Sequence, residues 1–336
     1  MNGPIGVLVM AYGTASGPDD VERYYTDIRG GRPPTPEHLR ELQERYAAIG
    51  NRFPLLRITE RQAAAVERTL NGGRSGGPAF RAYLGMKHSP PFIPQGVARM
   101  RGDGIERAVG IVMAPHWSGM SIETYVERVE RAVAQDGGPA CTFVRSFHDH
   151  PAFVAFLGDR VAGALARLAS AEREGATVIF SAHSLPVRTD PDGRQWCKYC
   201  TLCEEACRYP MGLGETADLV AARLGLDAEA YTTGWQSAGR TADPWFGPPV
   251  EDVIRAAADR GRTAVVVCSA GFVADHLEIL YDLDIEAARA AREAGVGFAR
   301  TEMPNDDPAF IGALAAVVRE HVASGPHTSD RVPPPM

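Results

Sequence analysis

The amino-acid sequence predicts an α/β protein with two facing Rossmann-like domains, each a parallel sheet with helices on both faces. The first observation behind this prediction is that eight runs of β-branched and apolar residues alternate with segments of helical periodicity. The second is that the runs form two series with the same layout. Strands that are apolar along their whole length are typical of parallel sheets buried on both faces, which indicates doubly wound domains.

The N-terminal series of runs lies within residues 1–160, which we predict to form the first domain. Its strands are expected at residues 5–13, 80–88, 107–117 and 141–150. Apolar residues recur at helical spacing in 36–49 and 122–135, so these stretches are predicted to be helices that connect the strands.

The C-terminal series lies within residues 161–304, the predicted second domain, which contains a cysteine-rich segment at 197–207. Its strands are expected at residues 176–184, 230–237, 263–272 and 296–304. Helical periodicity in 215–226 and 250–261 predicts connecting helices there.

The end of the chain is predicted to form a last helix and a tail. The apolar pattern of PAFIGALAAVVREHVA indicates a helix within residues 305–323 that packs back on the body of the protein. The pattern leaves open which domain the helix contacts. Residues 324–336 are polar and rich in proline, so a disordered tail is expected.

The composition argues against several classes of protein. With 336 residues, of which 45% are hydrophobic and 23% charged, the chain is able to bury a full core. A net charge of -7 offers no basic surface, so no nucleic-acid partner is predicted. No signal peptide is visible, and no stretch reaches the roughly 18 to 20 apolar residues of a membrane span. We therefore expect a cytoplasmic monomer without stable membrane insertion.

Polar side chains follow several of the predicted strands, at the edge where open α/β sheets bind ligands. Lys87 and His88 follow one strand, His116 and His183 follow two others, and His276 opens a helix. A single histidine in such a position is most often a capping or packed residue. Several at one edge of the protein favour a functional site.

Three carboxylates follow His276 at four-residue steps. Glu278, Asp282 and Glu286 are expected on one face of a helix. A charge run of this kind is most often a solvated acidic face. Because much of the same helix is apolar, the carboxylates are instead predicted to face a crevice, where they suit a divalent cation moving inward or protons moving outward.

Four cysteines form a C-x2-C-x2-C-x3-C pattern at Cys197, Cys200, Cys203 and Cys207. In the cytoplasm this density of thiols favours a metal site over disulfides. The spacing resembles the ligand string of bacterial ferredoxins, and it leaves open a [2Fe-2S] cluster, a [4Fe-4S] cluster or a zinc ion. Cys141 and Cys268 lie within predicted strands and are expected to be buried thiols.

A series of motifs extends along nearly the whole chain in a specific order. These are LVMAYGT, ERYYTDIRGGR, APHWS, FSAHSLP, GWQSAGRTADPWFGP, GFVADHLEILYD and EMPN. In this order they resemble the bacterial ferrochelatases, and among them the monomeric coproporphyrin ferrochelatases of the Gram-positive type. The resemblance implies two facing Rossmann-like domains around a porphyrin cleft. It also implies insertion of Fe²⁺ into a porphyrin for haem biosynthesis, with coproporphyrin III favoured and protoporphyrin IX as the alternative.

The same resemblance assigns roles to the residues of the predicted site. His183 and Glu278 are similar to the family's metal-insertion pair, while Asp282 and Glu286 resemble an outer metal site that leads to Glu278. A neutral imidazole is a suitable ligand for ferrous iron, and a carboxylate beside it is able to hold the ion or accept a proton.

The resemblance also implies a set of porphyrin-binding residues. These are Tyr12, Arg29, Arg32, Lys87, His88 and Tyr125. Tyr12 is expected to lie over the porphyrin opposite the histidine, and the cations to bind its propionates. For Arg29 and Arg32, a solvated loop is an equal alternative. Phe53 departs from the family pattern, which often has serine at this position to bind a propionate, and this weakens the choice between a tetracarboxylate and a dicarboxylate porphyrin.

Some ferrochelatases carry a [2Fe-2S] cluster, so the resemblance favours that cluster for the internal cysteines. Because iron insertion involves no net redox change, its role is expected to be structural or regulatory. Two rival functions are an iron-sulfur redox sensor on an α/β scaffold, and a chelatase for another metal and tetrapyrrole, such as cobalt and sirohydrochlorin.

Overall fold

The computed structural model describes residues 3–72, 76–239 and 241–324, which contain two separate four-stranded parallel sheets. The first sheet is formed by β1 (Ile5–Ala11), β2 (Phe80–Met86), β3 (Arg107–Val112) and β4 (Ala140–Val144). Its strand order is β2-β1-β3-β4, and every pairing is parallel.

The second half of the chain repeats this plan with one addition. Its strands are β5 (Ala176–His183), β6 (Val187–Thr189), β7 (Gln195–Cys197), β8 (Tyr231–Gln236), β9 (Ala264–Cys268) and β10 (Gly297–Arg300). The parallel sheet has the order β10-β9-β5-β8. The short strands β6 and β7 form a separate antiparallel hairpin that leads into the cysteine segment, and this hairpin is not predicted from the sequence.

All eight predicted strands are confirmed, with shorter bounds. Each predicted run extends past its observed strand into the loop at the carboxyl end. Strands β1 and β9 are buried at every position, as expected of strands covered on both faces.

Eleven α-helices surround the sheets in the described part of the chain. They are α1 (Val21–Ile28), α2 (Pro36–Ala48), α3 (Leu55–Asn71), α4 (Ile93–Gly102), α5 (Ile122–Asp136), α6 (Pro151–Ala166), α7 (Ser170–Glu174), α8 (Arg208–Leu224), α9 (Val250–Asp259), α10 (Ala288–Ala294) and α11 (Pro308–Ser324). Helices α4 and α5 pack together on one face of the first sheet, and α3 and α11 on the other. The second sheet lies between the pair α6 and α8 and the pair α9 and α10. The predicted α/β fold with helices on both faces is confirmed.

The predicted helix that carries the carboxylates differs from a regular α-helix. Residues Ile279–Ala287 are π-helical, and the chain continues as α10. A π-helix has i→i+5 hydrogen bonds and is frequent at functional sites. Apolar spacing cannot separate it from an α-helix, because the two turns differ by less than one residue. Here packing fixes the wider turn, since Ile279 and Leu283 are buried in the second-sheet core and Leu280 is buried against the cluster that includes α1 and α2.

The C-terminal helix joins the two halves. Helix α11 contacts α3 and the first sheet, and also α6, whose neighbours include β9 of the second sheet. The division between residues 160 and 161 stays a prediction, and residue 160 lies within α6. Residues 325–336 of the predicted tail lie outside the described residues.

A buried amide provides a second link between the halves. Gln62 of α3 is fully buried, and its Nε2 donates to the carbonyl oxygen of Val273 at 2.9 Å and to that of Asn305 at 2.8 Å. Both acceptors follow strands of the second sheet, so this one side chain fixes two loops of the other half.

We predict that Gln62→Met destabilises the protein by about 1–3 kcal/mol, because a thioether cannot replace the two hydrogen bonds of the buried amide, although the Val273 carbonyl keeps the backbone N–H of Asn305 as a donor at 3.0 Å. Urea unfolding followed by circular dichroism measures the change. Gln135→Met, at an exposed position of α5, is the matched control and is expected to stay within about 0.5 kcal/mol. Equal stability of the two variants would contradict the proposed link.

Candidate functional site

A histidine and a glutamate meet at the carboxyl edge of the second sheet. His183 is the last residue of β5, and Glu278 directly precedes the π-helical segment. His183 Nε2 lies 3.6 Å from Glu278 Oε1, and each side chain is about one-third exposed, at 33% and 31%. The other carboxylate oxygen, Oε2, lies 3.4 Å from Nε2 of His276. One carboxylate is therefore flanked by two imidazoles and remains open to an incoming ion.

Backbone carbonyls orient both imidazoles. His183 Nδ1 donates to the carbonyl of Ser184, and His276 Nδ1 donates to the carbonyl of Ala274 at 2.9 Å. Because each Nδ1 is used in this way, each Nε2 is directed at Glu278. This is the orientation in which an imidazole offers Nε2 to a metal ion.

The two groups form an ion pair. Burial lowers the pKa of His183, but the charge of Glu278 and the hydrogen bonds of the ring outweigh burial and raise the pKa to about 9. Burial likewise opposes ionisation of Glu278, yet His183 and His276 hold the pKa of this carboxyl well below its usual value. A cation that binds here must displace the proton of His183, because a metal ligand has to be deprotonated.

Further carboxylates continue from Glu278 along the π-helical segment. Asp282 is buried and accepts a hydrogen bond from the hydroxyl of Ser237. Arg45 of α2 lies between the next two carboxylates, with Nη1 3.7 Å from Asp282 Oδ1 and Nη2 3.7 Å from Glu286 Oε2. Burial, followed by the charge of Glu278, raises the pKa of Asp282 to about 7. Asp282 is thus able to exchange a proton near neutral pH.

The first sheet supplies the facing wall. Tyr12, just beyond β1, is 43% exposed, and its ring lies 4.6 Å from that of His88. Partial burial and then the negative charge of Glu278 raise the pKa of Tyr12. Lys87 Nζ lies 5.9 Å from the Tyr12 ring and 4.9 Å from the ring of Tyr125.

Burial lowers the pKa values of the two basic side chains on this wall, Lys87 and His88. It lowers the pKa of Lys87 to about 8, with Arg128 adding to the effect, and Lys87 Nζ donates to Thr124 Oγ1 at 2.6 Å. Burial also lowers the pKa of His88 to about 4, although its Nδ1 lies 2.7 Å from Asp27 Oδ1. His88 is therefore neutral at physiological pH and donates to the carboxylate.

The remaining predicted substrate residues differ in exposure. Tyr125 is buried behind Lys87, whereas Arg32 is exposed on the loop after α1 and donates from Nε to the carbonyl of Arg29 at 3.3 Å. Arg29 is partly buried, with its guanidinium 5.9 Å from the ring of Tyr25. Phe53 stacks on Tyr46 at 4.4 Å between ring centroids, which fills the position with an apolar contact.

One expectation about the strand-end histidines is wrong. His116 does not join the site, because it is buried and its Nε2 is hydrogen bonded at 2.9 Å to Thr216 of α8, with its ring against His148. Sequence reasoning also missed Arg45, Ser237 and Asp27, which neutralise or orient the predicted residues. Ser237 and Asp27 carried a signal, their places in the GWQSAGRTADPWFGP and ERYYTDIRGGR motifs, and Ser237 adopts a positive φ of 59°.

The cysteine segment lies beside His183 in the structure. All six cysteines are free thiols, and Cys197, Cys200 and Cys207 are buried while Cys203 is partly exposed. The sulfur atoms of Cys197 and Cys207 are 3.4 Å apart, and Cys203 interacts with both Cys200 and Cys207. Outside the segment, Cys268 is buried as expected, whereas Cys141 is only partly buried.

The fold is that of the chelatases. Among solved structures, the protein SirB from Bacillus subtilis with Fe³⁺ aligns with a TM-score of 0.56 over 97% of this chain and 98% of that one, at 11% identity. The sirohydrochlorin chelatase SirB from Bacillus subtilis subspecies spizizenii in complex with cobalt aligns with a TM-score of 0.53 over 96% of this chain and 97% of that one, at 10% identity. At this level of identity the likeness concerns the fold alone.

Sequence comparison identifies the family. Residues 4–322 match the ferrochelatase family. The chain is 45% identical over 314 residues to the coproporphyrin III ferrochelatase of Geobacillus kaustophilus, covering 93% of this chain and 94% of that protein. It is also 45% identical over 315 residues to that of Bacillus subtilis, covering 94% and 96%. The chain belongs to the ferrochelatase family and is an enzyme of that class. Among the described residues, no helix is both long and apolar enough to span a membrane.

The origin of the raised Asp282 pKa gives a prediction. Glu278→Gln removes the nearest negative charge, which favours ionisation, so the pKa of Asp282 should fall when its carboxyl ¹³C shift is followed by NMR. Glu286→Gln is the matched control and should lower it less, since the charge of Glu286 contributes less to the shift. An equal or larger fall of the Asp282 pKa in Glu286→Gln would contradict the larger contribution of Glu278.

Proposed function

We propose that this protein inserts Fe²⁺ into coproporphyrin III, with His183 and Glu278 as the residues that receive the metal and the pyrrole protons. The observation that carries the proposal is the ion pair of His183 and Glu278 on one wall of a cleft whose other wall holds Tyr12. A flat macrocycle between these walls would have one face toward the pair and the other toward the phenol.

The chemistry requires a balanced exchange of protons for a metal ion. Fe²⁺ enters, two N–H protons leave the porphyrin, and no electron is transferred. Glu278 offers a carboxylate to the arriving ion, and His183, once it has released its own proton, offers Nε2 as a ligand or base. Asp282 and Glu286 then form a path for protons leaving, or cations arriving, along the π-helical segment.

The choice of porphyrin rests on the relatives and on the cations of the cleft. Relatives named coproporphyrin III ferrochelatases share 42–45% identity with this chain over nearly its full length. Lys87, Arg29 and Arg32 would supply cations for propionates. Phe53 lacks the hydroxyl that the family pattern offers, so protoporphyrin IX remains the alternative substrate. A sirohydrochlorin substrate has only the fold likeness to support it.

We further propose that Cys197, Cys200, Cys203 and Cys207 hold a [2Fe-2S] cluster. The residues fit this group, because four free thiols lie in one chain of sulfur contacts and three of them are screened from solvent. A hydrogen bond with Cys203 and burial raise the pKa of the Cys200 thiol, and bound iron would reverse that effect by stabilising thiolates. A [4Fe-4S] cluster or a zinc ion is the alternative occupant.

The cluster is proposed to be accessory to catalysis. Iron insertion has no redox step for a cluster to serve, and the thiols are not among the residues at the His183–Glu278 contact. A dedicated redox sensor is the less favoured function, since it has no use for the ion pair of His183 and Glu278. The cytoplasmic location and the monomeric state stay predictions.

We expect His183→Ala to lower the rate of Fe²⁺ insertion by at least about 100-fold, because the ligand and base at the metal is lost. Anaerobic insertion into coproporphyrin III and into protoporphyrin IX is followed by visible absorption. His38→Ala, on α2, is the matched histidine control and should retain native activity. Activity of His183→Ala equal to that of the control would refute this assignment, and faster turnover of protoporphyrin IX by the native protein would select the alternative substrate.

We expect Cys200→Ser to lose the cluster absorption and to retain iron insertion within about threefold of the native rate, since insertion needs no electron. Absorption and circular dichroism of the anaerobically purified protein measure the cluster and the fold. Cys141→Ser, outside the segment, should keep both cluster and activity. A folded Cys200→Ser protein that no longer inserts iron would show that the cluster is required for the reaction.

A further inference from the structure

The geometry points to Tyr209 as a positioning residue that transmits the arrangement of the four-cysteine segment to His183. This inference rests on the proposed role of His183 in metal insertion. It concerns a residue that neither binds the porphyrin nor ligates a metal in the proposed mechanism.

The first observation is a hydrogen bond to the backbone of the site. The Tyr209 hydroxyl donates to the carbonyl oxygen of His183 at 2.8 Å. His183 is the last residue of β5, and the next amide, of Ser184, donates to the carbonyl of Gln236 at 2.7 Å. The turn that carries the imidazole is thus held on one side by the neighbouring strand and on the other by a tyrosine.

The second observation is that Tyr209 is itself held rigidly. It is buried, and its ring lies 5.5 Å from that of Trp235, the β8 residue paired with Ala182 in the sheet. The Trp235 ring in turn stacks on Phe246 at 5.2 Å. A phenol ring packed in this way fixes its hydroxyl in one position, so a displacement of the tyrosine backbone moves the hydroxyl with it.

The third observation concerns where this backbone begins. Cys207 is the N-cap of α8, and Tyr209 lies in the first turn of the helix. The sulfur of Cys207 accepts a hydrogen bond from the backbone N–H of Cys197 at 3.4 Å. The start of α8 is therefore anchored by a cysteine, so a change at this sulfur is expected to change how firmly the first turn is held.

The segment is also anchored on the first half of the chain. A methyl group at Gly119 would lie 2.5 Å from the sulfur of Cys200, so the segment packs directly on this glycine. The guanidinium of Arg208 lies 5.3 Å from the ring of Trp117 in the same loop. The cysteines thus sit between a loop of the first half and the strand end that carries His183.

A small displacement of His183 matters, because a misplacement of about 1 Å costs as much as 100-fold in rate at a reacting centre. Tyr209→Phe removes only the hydroxyl. We expect kcat for Fe²⁺ insertion into coproporphyrin III to fall about five- to tenfold while KM for the porphyrin stays within about twofold. We also expect the Ser184 amide to exchange with deuterium about fivefold faster, measured on the peptide covering 181–186.

Tyr231→Phe is the matched control. The Tyr231 hydroxyl donates to Asp218 Oδ1 at 2.8 Å at the opposite end of β8, so the same chemical change is made away from His183. It should leave kcat and the exchange of the 181–186 peptide unchanged. An equal response of the two variants would overturn the inference, as would a Tyr209→Phe effect on KM with kcat unchanged.

A second comparison tests the link to the cysteines without relying on activity or on the identity of a bound metal. Cys207→Ser is expected to accelerate exchange of the 181–186 peptide about threefold, and Cys141→Ser to leave it unchanged. Unchanged exchange in Cys207→Ser would overturn the coupling. If the native protein inserts iron into neither porphyrin, the proposed function fails, whereas both exchange comparisons still decide the role of Tyr209.

Discussion

The contact between His183 and Glu278 is the interaction on which the rest of the site depends. A partly buried carboxylate needs cations or donors that compensate its loss of water, and here two imidazoles do so. The strand end of β5, the turn before the π-helical segment and two backbone carbonyls all serve to direct the imidazoles at one carboxylate. The pair stores a proton on His183 in the absence of metal, so metal entry and proton release are necessarily linked.

The two walls of the cleft are electrostatically different. The wall of the second sheet holds the carboxylates, while the wall of the first sheet holds Lys87 with a lowered pKa and a neutral His88. A cation is therefore attracted to one side only. In the proposed function, Tyr12 and Lys87 on the other side would be available to the ring and to its acidic substituents. The separation would then favour delivery of metal and removal of protons at the face of the macrocycle toward Glu278.

The eight strands and the candidate residues at their ends could be predicted because both follow from local patterns: apolar runs, and polar residues where those runs stop. Arg45 could not be predicted, since it is one of many arginines on an amphipathic helix and its position between Asp282 and Glu286 depends on tertiary packing. His116 had the same local pattern as His183. The packing of α8 distinguishes them, because Nε2 of His116 is hydrogen bonded to Thr216 of that helix.

The cysteine segment raises the question of how a group without a redox task influences a redox-neutral reaction. Electron transfer is excluded as the route by the chemistry of insertion itself. The remaining route is through the positions of atoms. Cys207 is the N-cap of α8, and Tyr209 lies in the first turn of that helix. The Tyr209 hydroxyl donates to the carbonyl oxygen of His183. A change in the arrangement of the thiols would thereby act on His183, the residue proposed to receive the iron. If the segment regulates the proposed reaction, it does so through its structural contact with the strand end that carries His183, because insertion has no redox step in which it could take part.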